Sequence, residues 1–197
     1  MNLKILLISP PIFDFYSSPH RMEPLGLLYI KKALKNAGHN IEIYDGSFSG
    51  KVRKMKTPDE FQYLDKYYCK DLSPFSLHSG YKRFGDSFQK ISLYCSKNNF
   101  DIIGISSLFS AYHPDVELLA SEIKKSTDTP LVIGGTAVNT LSIRQIERSV
   151  ADFMISGCGT VSMPLFIEAL SGKIPLDEVP GLIYEKDGKI IRNIASK

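Results

Sequence analysis

The sequence is poor in cysteine and has no long apolar run, and each shortage excludes a class of protein. Its 197 residues include three widely spaced cysteines, which form no CxxC or CxxxCxxC motif: Cys69, Cys95 and Cys158. This pattern argues against a disulfide framework, a zinc site or an iron–sulfur site within the chain, and it favours a cytoplasmic location. No segment approaches the roughly 18 apolar residues of a membrane span, so we expect none.

The net charge of +3 is unevenly distributed along the chain. Residues 51–97 carry ten Lys and Arg against five Asp and Glu, and residues 48–94 contain ten of the 21 Phe and Tyr. A basic, aromatic segment can contact nucleic acid, but no recognised nucleic-acid motif accompanies it. We therefore expect a solvated insertion and no nucleic-acid partner. Long aromatic connections are often interfacial, so residues 46–85 are a candidate surface for a homo-oligomer.

Alternating strand and helix patterns predict a doubly wound α/β domain. Apolar runs typical of buried strands occur at 3–9, 40–45, 100–107, 130–135 and 151–157, and helical patterns occur at 24–38, 86–99, 113–127, 139–148 and 161–172. Strand–helix–strand crossovers produce parallel pairs, so we predict a mostly parallel, five-stranded sheet that is flavodoxin-like or Rossmann-like. The Asp187-Gly188 turn signal predicts a β-hairpin near the carboxyl terminus. We expect an α/β domain at 1–175, with the insertion at 46–85, and a hairpin linker at 176–197.

Small residues follow the predicted strands at the edge where ligands of open α/β sheets bind. Small side chains let a ligand lie directly on the backbone. The candidate binding residues are Ser9, Pro10, Ser106, Ser107, Leu108, Gly134, Gly135, Thr136, Gly157, Cys158 and Gly159. We predict no catalytic and no metal-ligating residue in the chain.

Three common ligand sites of α/β domains do not fit this edge. A dinucleotide fingerprint needs GxGxxG after the first strand, but "SPPIFD" stands there, and Pro10 and Pro11 have no N–H to donate. The same prolines prevent a flavodoxin-type phosphate cradle. A phospho-receiver needs carboxylates to bind magnesium, whereas Ser9 and Ser106-Ser107 occupy those strand ends.

Two of these strand ends carry a recognisable pattern. Ser106-x-Leu108, then 25 intervening residues, then Gly134-Gly135 resembles the S-x-L…G-G signature of cobalamin-binding domains. The stretches "KILLISPP", "PLGLLYIKKALKNAGHNIEIYDG", "DIIGISSLFSAYHPDVELLASEIKK", "PLVIGGTAVNT" and "ADFMISGCGT" extend the similarity. Outside 46–85, the chain resembles the amino-terminal domain of cobalamin-dependent radical SAM enzymes, a class that includes the magnesium-protoporphyrin IX monomethyl ester cyclase group.

The resemblance implies that the chain holds cobalamin, with the nucleotide tail of the cofactor against the Ser106 and Gly134-Gly135 strand ends. It also implies S-adenosylmethionine and a 4Fe–4S cluster in a full-length enzyme of methyltransferase or cyclase type. The chain would be a fragment of that enzyme, and the hairpin "VPGLIYEKDGKIIRN" would lead to a radical SAM barrel. Without CxxxCxxC the chain itself would not perform radical chemistry.

The sequence also departs from the family. The D-x-H-x-x-G motif, whose histidine ligates cobalt in other cobalamin proteins, is absent after the first strand, so we expect cobalamin to be held without it. Relatives often have a histidine after Gly-Gly and an acidic G-E-G-E after strand five, where this chain has "GGTAVNT" and "SGCGT". A non-catalytic nucleotide- or flavin-binding module, or an interaction domain of the same fold, remains an alternative.

Single residues near the edge have two interpretations each. Cys158 at a helix start is a candidate reactive or cobalt-facing thiol, or a small loop residue. His113 is a candidate cofactor contact, or a polar residue that starts a helix. Asp45 is a candidate ribose ligand, or the first residue of a loop, and no spacing argument assigns a role to His20 or Arg21.

Overall fold

The computed structural model describes residues 2–15, 23–67 and 80–195. Within them lie ten strands: β1 (Lys4–Ser9), β2 (Ile12–Asp14), β3 (Asn40–Asp45), β4 (Val52–Lys54), β5 (Lys82–Phe84), β6 (Ile102–Ser106), β7 (Leu131–Gly134), β8 (Phe153–Ile155), β9 (Leu182–Lys186) and β10 (Lys189–Arg192). The α-helices of these residues are α1 (Leu25–Asn36), α2 (Phe88–Lys97), α3 (His113–Lys124), α4 (Ile143–Glu147) and α5 (Gly159–Leu170).

The main sheet has seven strands in the order β3-β1-β6-β7-β8-β9-β10. The first five are parallel, which confirms the predicted α/β class and its mostly parallel sheet. The count of five was too low for the whole sheet, because the hairpin β9-β10 pairs antiparallel with the outer edge of β8. Asp187 and Gly188 form the hairpin turn, both with positive φ, as the sequence predicted.

Helices cover both faces of this sheet and divide the core in two. One half packs beneath α1 and α5 and includes Leu7, Val132 and Ile155 from the strands. The other half packs beneath α2, α3 and α4 and includes Ile105 and Ile133. Since alternate residues of a strand point to opposite faces, each of the central strands supplies both halves. The chain reverses its winding direction between β1 and β6, the type of position where such folds bind ligands.

Local sequence signals explain where several helices begin. The Ser87 hydroxyl accepts a hydrogen bond from the Lys90 N–H at 3.3 Å at the start of α2. Ser142 and Gln145 form a reciprocal capping box at α4, and Pro114 occupies the first turn of α3, where its missing N–H costs nothing. Within the described residues, no helix is both long enough and apolar enough to cross a membrane.

A second, three-stranded sheet of order β2-β5-β4 contains two strands of the 46–85 segment. The segment leaves and returns at a neck: the Gly46 N–H donates to the Ser9 carbonyl and the Asp86 N–H to the Gly46 carbonyl, both at 2.8 Å. A Cβ on Gly85 would lie 2.0 Å from the Gly46 oxygen, so this close approach requires glycine. Residues 68–79 of the segment lie outside the described residues.

Candidate functional site

A cavity of about 450 Å³ lies between the main sheet and the amino-terminal ends of α1 and α5. Its volume falls in the roughly 300–1,000 Å³ range of small-molecule sites. Strands β1, β6, β7 and β8 form its floor, so it lies beneath the carboxyl edge of the sheet. Its lining residues are Leu7, Gly26, Leu27, Tyr29, Ile30, Gly104, Ile105, Ser106, Leu108, Val132, Gly134, Gly135, Thr136, Ile155, Gly157, Cys158, Gly159, Thr160 and Met163.

Missing side chains create this space. In β6, Gly104 and Ser106 point to the α1/α5 face, while the intervening Ile105 packs in the opposite core. Gly134 repeats the pattern in β7, and a Cβ there would meet only the Ile155 oxygen at 3.7 Å. On the helix side, a Cβ on Gly26 would meet no atom within 4 Å. Bare backbone therefore bounds the cavity at Gly134 on the sheet side and at Gly26 on the helix side, while the Leu7 side chain lies 3.0 Å from the Cβ position of Gly104.

The polar groups of the cavity are few and lie near its mouth. The Thr136 hydroxyl donates to the Leu108 carbonyl and links the β6 and β7 loops. The Ser106 hydroxyl makes no hydrogen bond to another described residue, so it can orient an incoming ligand. Apolar side chains form the rim, where Tyr29 is 65% and Leu108 57% exposed. The arrangement suits a large, mostly apolar ligand that needs few polar contacts.

Cys158 lies at the N-cap of α5 beside the cavity, and its thiol is exposed. Hydrogen bonds from the Thr160 hydroxyl, at 3.1 Å from Sγ, and then from the Val161 N–H lower the pKa of Cys158 below its ordinary value. Both donors favour the thiolate because they stabilise negative charge on sulfur. The structure therefore places an exposed thiol with a lowered pKa at the edge of the site, and the described residues around it assign it no further role.

Eight of the eleven predicted binding residues line the cavity: Ser106, Leu108, Gly134, Gly135, Thr136, Gly157, Cys158 and Gly159. Ser9, Pro10 and Ser107 do not. Ser9 accepts the Gly46 N–H at the neck of the 46–85 segment, and Pro10 follows it on the way to β2. Ser107 is 1% exposed and points to the opposite face of the sheet, as the alternation along β6 requires.

Sequence reasoning missed the helical wall and the floor of the site. The residues it did not include are Leu7, Gly26, Leu27, Tyr29, Ile30, Gly104, Ile105, Val132, Ile155, Thr160 and Met163. One signal was available: in "IIGIS" of β6, Gly104 and Ser106 stand at alternate positions, which places two small residues on the same face of the strand, and "LVIG" of β7 ends in a glycine. The contribution of α1 had no such signal, since it depends on where the helix packs.

Gly135 leaves no room for a ligand, and its backbone packs against the loop after β6. Its φ is +124°, and a Cβ would lie 2.3 Å from the Ser107 oxygen. The Ser107 N–H donates to the Gly134 carbonyl at 2.7 Å, and the Ser107 carbonyl accepts from Ala137 at 3.1 Å. The loops after β6 and β7 are thus joined directly, and only glycine permits the contact.

The remaining single residues lie away from the cavity or outside the described residues. Asp45 accepts the Ser47 hydroxyl and N–H at 2.7 and 3.0 Å, which is the geometry of a residue that begins a loop. His113 is buried behind Ser107. Cys69, His20 and Arg21 lie outside the described residues.

Across residues 2–15, 23–67 and 80–195, no three His, Cys, Asp or Glu side chains converge in a group that could hold a metal ion. The cavity lining includes no histidine. The described side chains of the cavity therefore provide shape and a few hydroxyl groups, and a single thiol beside them.

Comparisons with known proteins identify the same fold in larger enzymes. No protein-family model and no curated protein matches the chain. The structure of the radical S-adenosylmethionine methyltransferase TsrM from Kitasatospora setae, with cobalamin and a [4Fe–4S] cluster bound, matches with a TM-score of 0.63 at 17% identity. The cobalamin-dependent S-adenosylmethionine radical enzyme OxsB, with aqua-cobalamin and S-adenosylmethionine bound, matches with a TM-score of 0.64 at 17% identity.

Both matches cover 100% of this chain, but only 30% of the TsrM chain and 22% of the OxsB chain. At this identity the likeness establishes a shared fold. The chain thus has the architecture of a part of these enzymes, and its own cavity lies at the carboxyl edge of that architecture.

Proposed function

We propose that the chain is a cobalamin-binding domain of a B12-dependent radical SAM enzyme. The observation that carries the proposal is the cavity beneath the carboxyl edge of the sheet, lined by the S-x-L and Gly-Gly residues. The shared fold with two cobalamin-containing enzymes supports it.

In this proposal the cavity holds the nucleotide tail of the cofactor. Gly104 and Gly134 allow a planar base to approach the strands, and Gly26 leaves room on the helix side. The Ser106 hydroxyl is a donor for a nitrogen or oxygen atom of the tail. The corrin ring would lie over the exposed rim, where Tyr29 and Leu108 contact its apolar surface.

The cobalt ion receives no histidine from the cavity in this arrangement, because the lining contains none. Cobalamin supplies a cobalt centre that can carry a methyl group or an electron. The residues of this chain bind the cofactor, orient it and keep water from its buried tail. Ser9, Pro10 and Ser107 do not line the cavity, so in this proposal they would support the neighbouring backbone and would not contact the tail of the cofactor.

The rest of the enzyme would supply the other cofactors. A radical SAM barrel in the same polypeptide would hold the S-adenosylmethionine and the 4Fe–4S cluster, for which this sequence has no CxxxCxxC motif. The limited share of TsrM and OxsB that the chain covers supports this division. The barrel would also select the substrate, and the cysteine usage favours the cytoplasm as the location.

Titration of the chain with hydroxocobalamin tests the proposal. Equilibrium dialysis at about 100 μM ligand detects a dissociation constant in the micromolar range, and an absorbance shift of the corrin reports its environment. Absence of binding would contradict the proposal, and tighter binding of flavin mononucleotide would favour the flavin module instead.

A volume series at Gly134 tests the place of the ligand. A Cβ at this position meets only the Ile155 carbonyl oxygen, at an ordinary contact distance of 3.7 Å. Ala, Val and Leu should therefore extend into the cavity, so affinity should fall as the side chain grows while the melting temperature changes little. Gly134→Ala serves as the matched control for the larger variants. Equal affinity across the series would place the ligand elsewhere.

The 46–85 segment supports a second, smaller proposal, that copies of the chain associate through it. Some of its aromatic side chains pack internally: Phe61 contacts Phe15 with ring centroids 5.6 Å apart. Others do not, since Phe48 is 84% and Tyr63 64% exposed. Sedimentation velocity on Phe48→Ser should show loss of any dimer, and an unchanged dimer would exclude this surface.

A further inference from the structure

Four buried or half-buried side chains contact one another in a row that begins at Ser107, next to the cavity lining, and ends at Ser149. Ser107 Oγ lies 3.0 Å from His113 Nδ1, and His113 Nε2 lies 3.4 Å from Glu117 Oε1. The Ser149 hydroxyl donates to the same Glu117 oxygen at 2.7 Å. We refer to Ser107, His113, Glu117 and Ser149 as the relay.

The neighbours of the His113 ring favour one of its two tautomers. Burial lowers the pKa of His113, although the Glu117 carboxylate opposes this, so the ring is neutral near pH 7. A neutral ring carries one proton. The Glu117 carboxylate, 3.4 Å from Nε2, favours the proton on that nitrogen, so we assign Nδ1 as the acceptor of the hydrogen bond from the Ser107 hydroxyl.

The order Ser–His–Glu is also that of a hydrolase triad, but burial excludes that role here. Ser107 is 1% and His113 5% exposed, and neither lines the cavity. A nucleophile must reach its substrate, whereas this hydroxyl faces the packed core beneath α3. The four side chains of the relay therefore hold parts of the protein in place and do not react with a ligand.

Ser107, the residue that His113 holds, lies between two residues of the cavity lining. Ser107 stands between Ser106 and Leu108, which both line the cavity. Its backbone bonds to Gly134 and Ala137 join the β6 loop to the β7 loop, and Gly135 rests on its carbonyl oxygen. A displacement of Ser107 would therefore move both loops that carry the S-x-L and Gly-Gly residues.

We propose that His113 is a positioning residue for cofactor binding, which holds Ser107 and thereby keeps the loops after β6 and β7 in their binding shape. The role rests on the proposed function of the cavity. It differs from a structural role of the helix alone, since the hydrogen bond to Ser107 would matter more than the contact with Glu117.

Three substitutions of His113 separate these contacts. His113→Asn places an amide oxygen near the Nδ1 position and keeps an acceptor for Ser107. His113→Gln places an amide nitrogen near Nε2 and keeps a polar group beside Glu117, while His113→Ala removes both contacts. Ile123→Val, a fully buried change on the same helix, is the control for a general loss of α3 packing.

Hydroxocobalamin affinity and amide hydrogen exchange are measured on each variant of the full chain. We expect His113→Ala and His113→Gln to weaken binding about tenfold, equivalent to about 1.4 kcal/mol. The Ser107 and Ala137 amides should exchange faster in both. His113→Asn should remain within about threefold of the parent in affinity and should keep the slow exchange.

Failure of this inference can be distinguished from failure of the proposed function. If the parent chain does not bind hydroxocobalamin, the proposed function fails, and hydrogen exchange alone still decides whether His113 holds the two loops. If all three His113 variants bind and exchange like Ile123→Val, the positioning role is wrong. Should His113→Ala not fold, the Asn and Gln variants still provide the comparison.

Discussion

The two faces of the main sheet differ most at the same carboxyl edge. On the α2/α3 face, Ile105 and Ile133 fill the space beneath the helices, and the His113–Ser107 contact closes the edge. On the α1/α5 face, Gly104 and Gly134 at the neighbouring positions leave a cavity. The comparison shows that one pair of strands builds both a rigid wall and an open site, because adjacent residues point in opposite directions.

The largest expected loss of stability comes from removing a buried side chain on the α2/α3 face. Ile133 is completely buried, so Ile133→Ala should lower the free energy of unfolding by about 2–5 kcal/mol through lost burial and a new cavity. Urea denaturation measures the loss. Hydroxocobalamin affinity of the folded fraction should be unchanged, and a loss below about 1 kcal/mol would show that this face is less tightly packed than the structure indicates.

Alanine substitutions at two adjacent glycines, Gly134 and Gly135, should differ clearly in their cost to stability. Gly135→Ala places a Cβ 2.3 Å from the Ser107 oxygen at a φ of +124°. It should therefore cost about 2–3 kcal/mol of stability. Gly134→Ala meets only one atom at 3.7 Å and should cost less than about 0.5 kcal/mol. Equal effects of the two changes in thermal unfolding would mean that the loops are not joined as described.

A small side chain added at Gly26, on the helix side of the cavity, should change stability less than Gly135→Ala does, and it should raise stability. Gly26 lies in the first turn of α1 with free space around its Cβ position, so Gly26→Ala should stabilise the chain by about 0.5 kcal/mol. Gly26→Phe should fold as well but lose hydroxocobalamin affinity. Thermal unfolding and dialysis measure the two effects, and retained binding in Gly26→Phe would exclude this end of the cavity from the site.

The smallest expected effect is a pH dependence of stability that arises from His113 on the α2/α3 face. Burial lowers the pKa of His113 below its ordinary value of 6.5, so below pH 6.5 the unfolded chain binds more protons at this residue than the folded chain. Stability contributed by the neutral ring is therefore complete above pH 6.5 and is lost as the pH falls towards the folded-state pKa. His113→Asn should flatten that part of the stability profile, and an unchanged profile would contradict the assignment.

Much of the fold could be predicted from local patterns. The strand at Asn40–Asp45 agrees with its prediction at both ends, since polar and glycine residues bound the apolar run. Gly85 lies against the Gly46 backbone at the neck of the 46–85 segment, and the bounds of that segment stay a prediction. The pairing of that segment with β2 was not predicted, because a three-residue strand such as Ile12–Asp14 has too few residues to show a period.

The site was predictable to a lesser degree. Ser106 and Ser107 appeared equivalent in sequence, yet one faces the cavity and the other bonds to His113 at 3.0 Å. Strand alternation assigns them to opposite faces and places Ser106 on the face that also carries Gly104, but it does not say that a cavity remains there. That depends on how closely α1 and α5 approach the sheet, and no residue in β6 reports this distance.

The sequence by itself determined the order of strands and helices, the small residues at the strand ends and the alternation of large and small side chains at the end of β6. These are local properties, because backbone geometry sets the direction of each side chain from its neighbours alone. Only the tertiary structure decided that α1 and α5 leave a cavity of about 450 Å³, that the hairpin completes a seven-stranded sheet, and that His113 holds Ser107 from the opposite face. Each of these depends on contacts between residues distant in the chain or on different elements, whose positions follow from how the whole core packs.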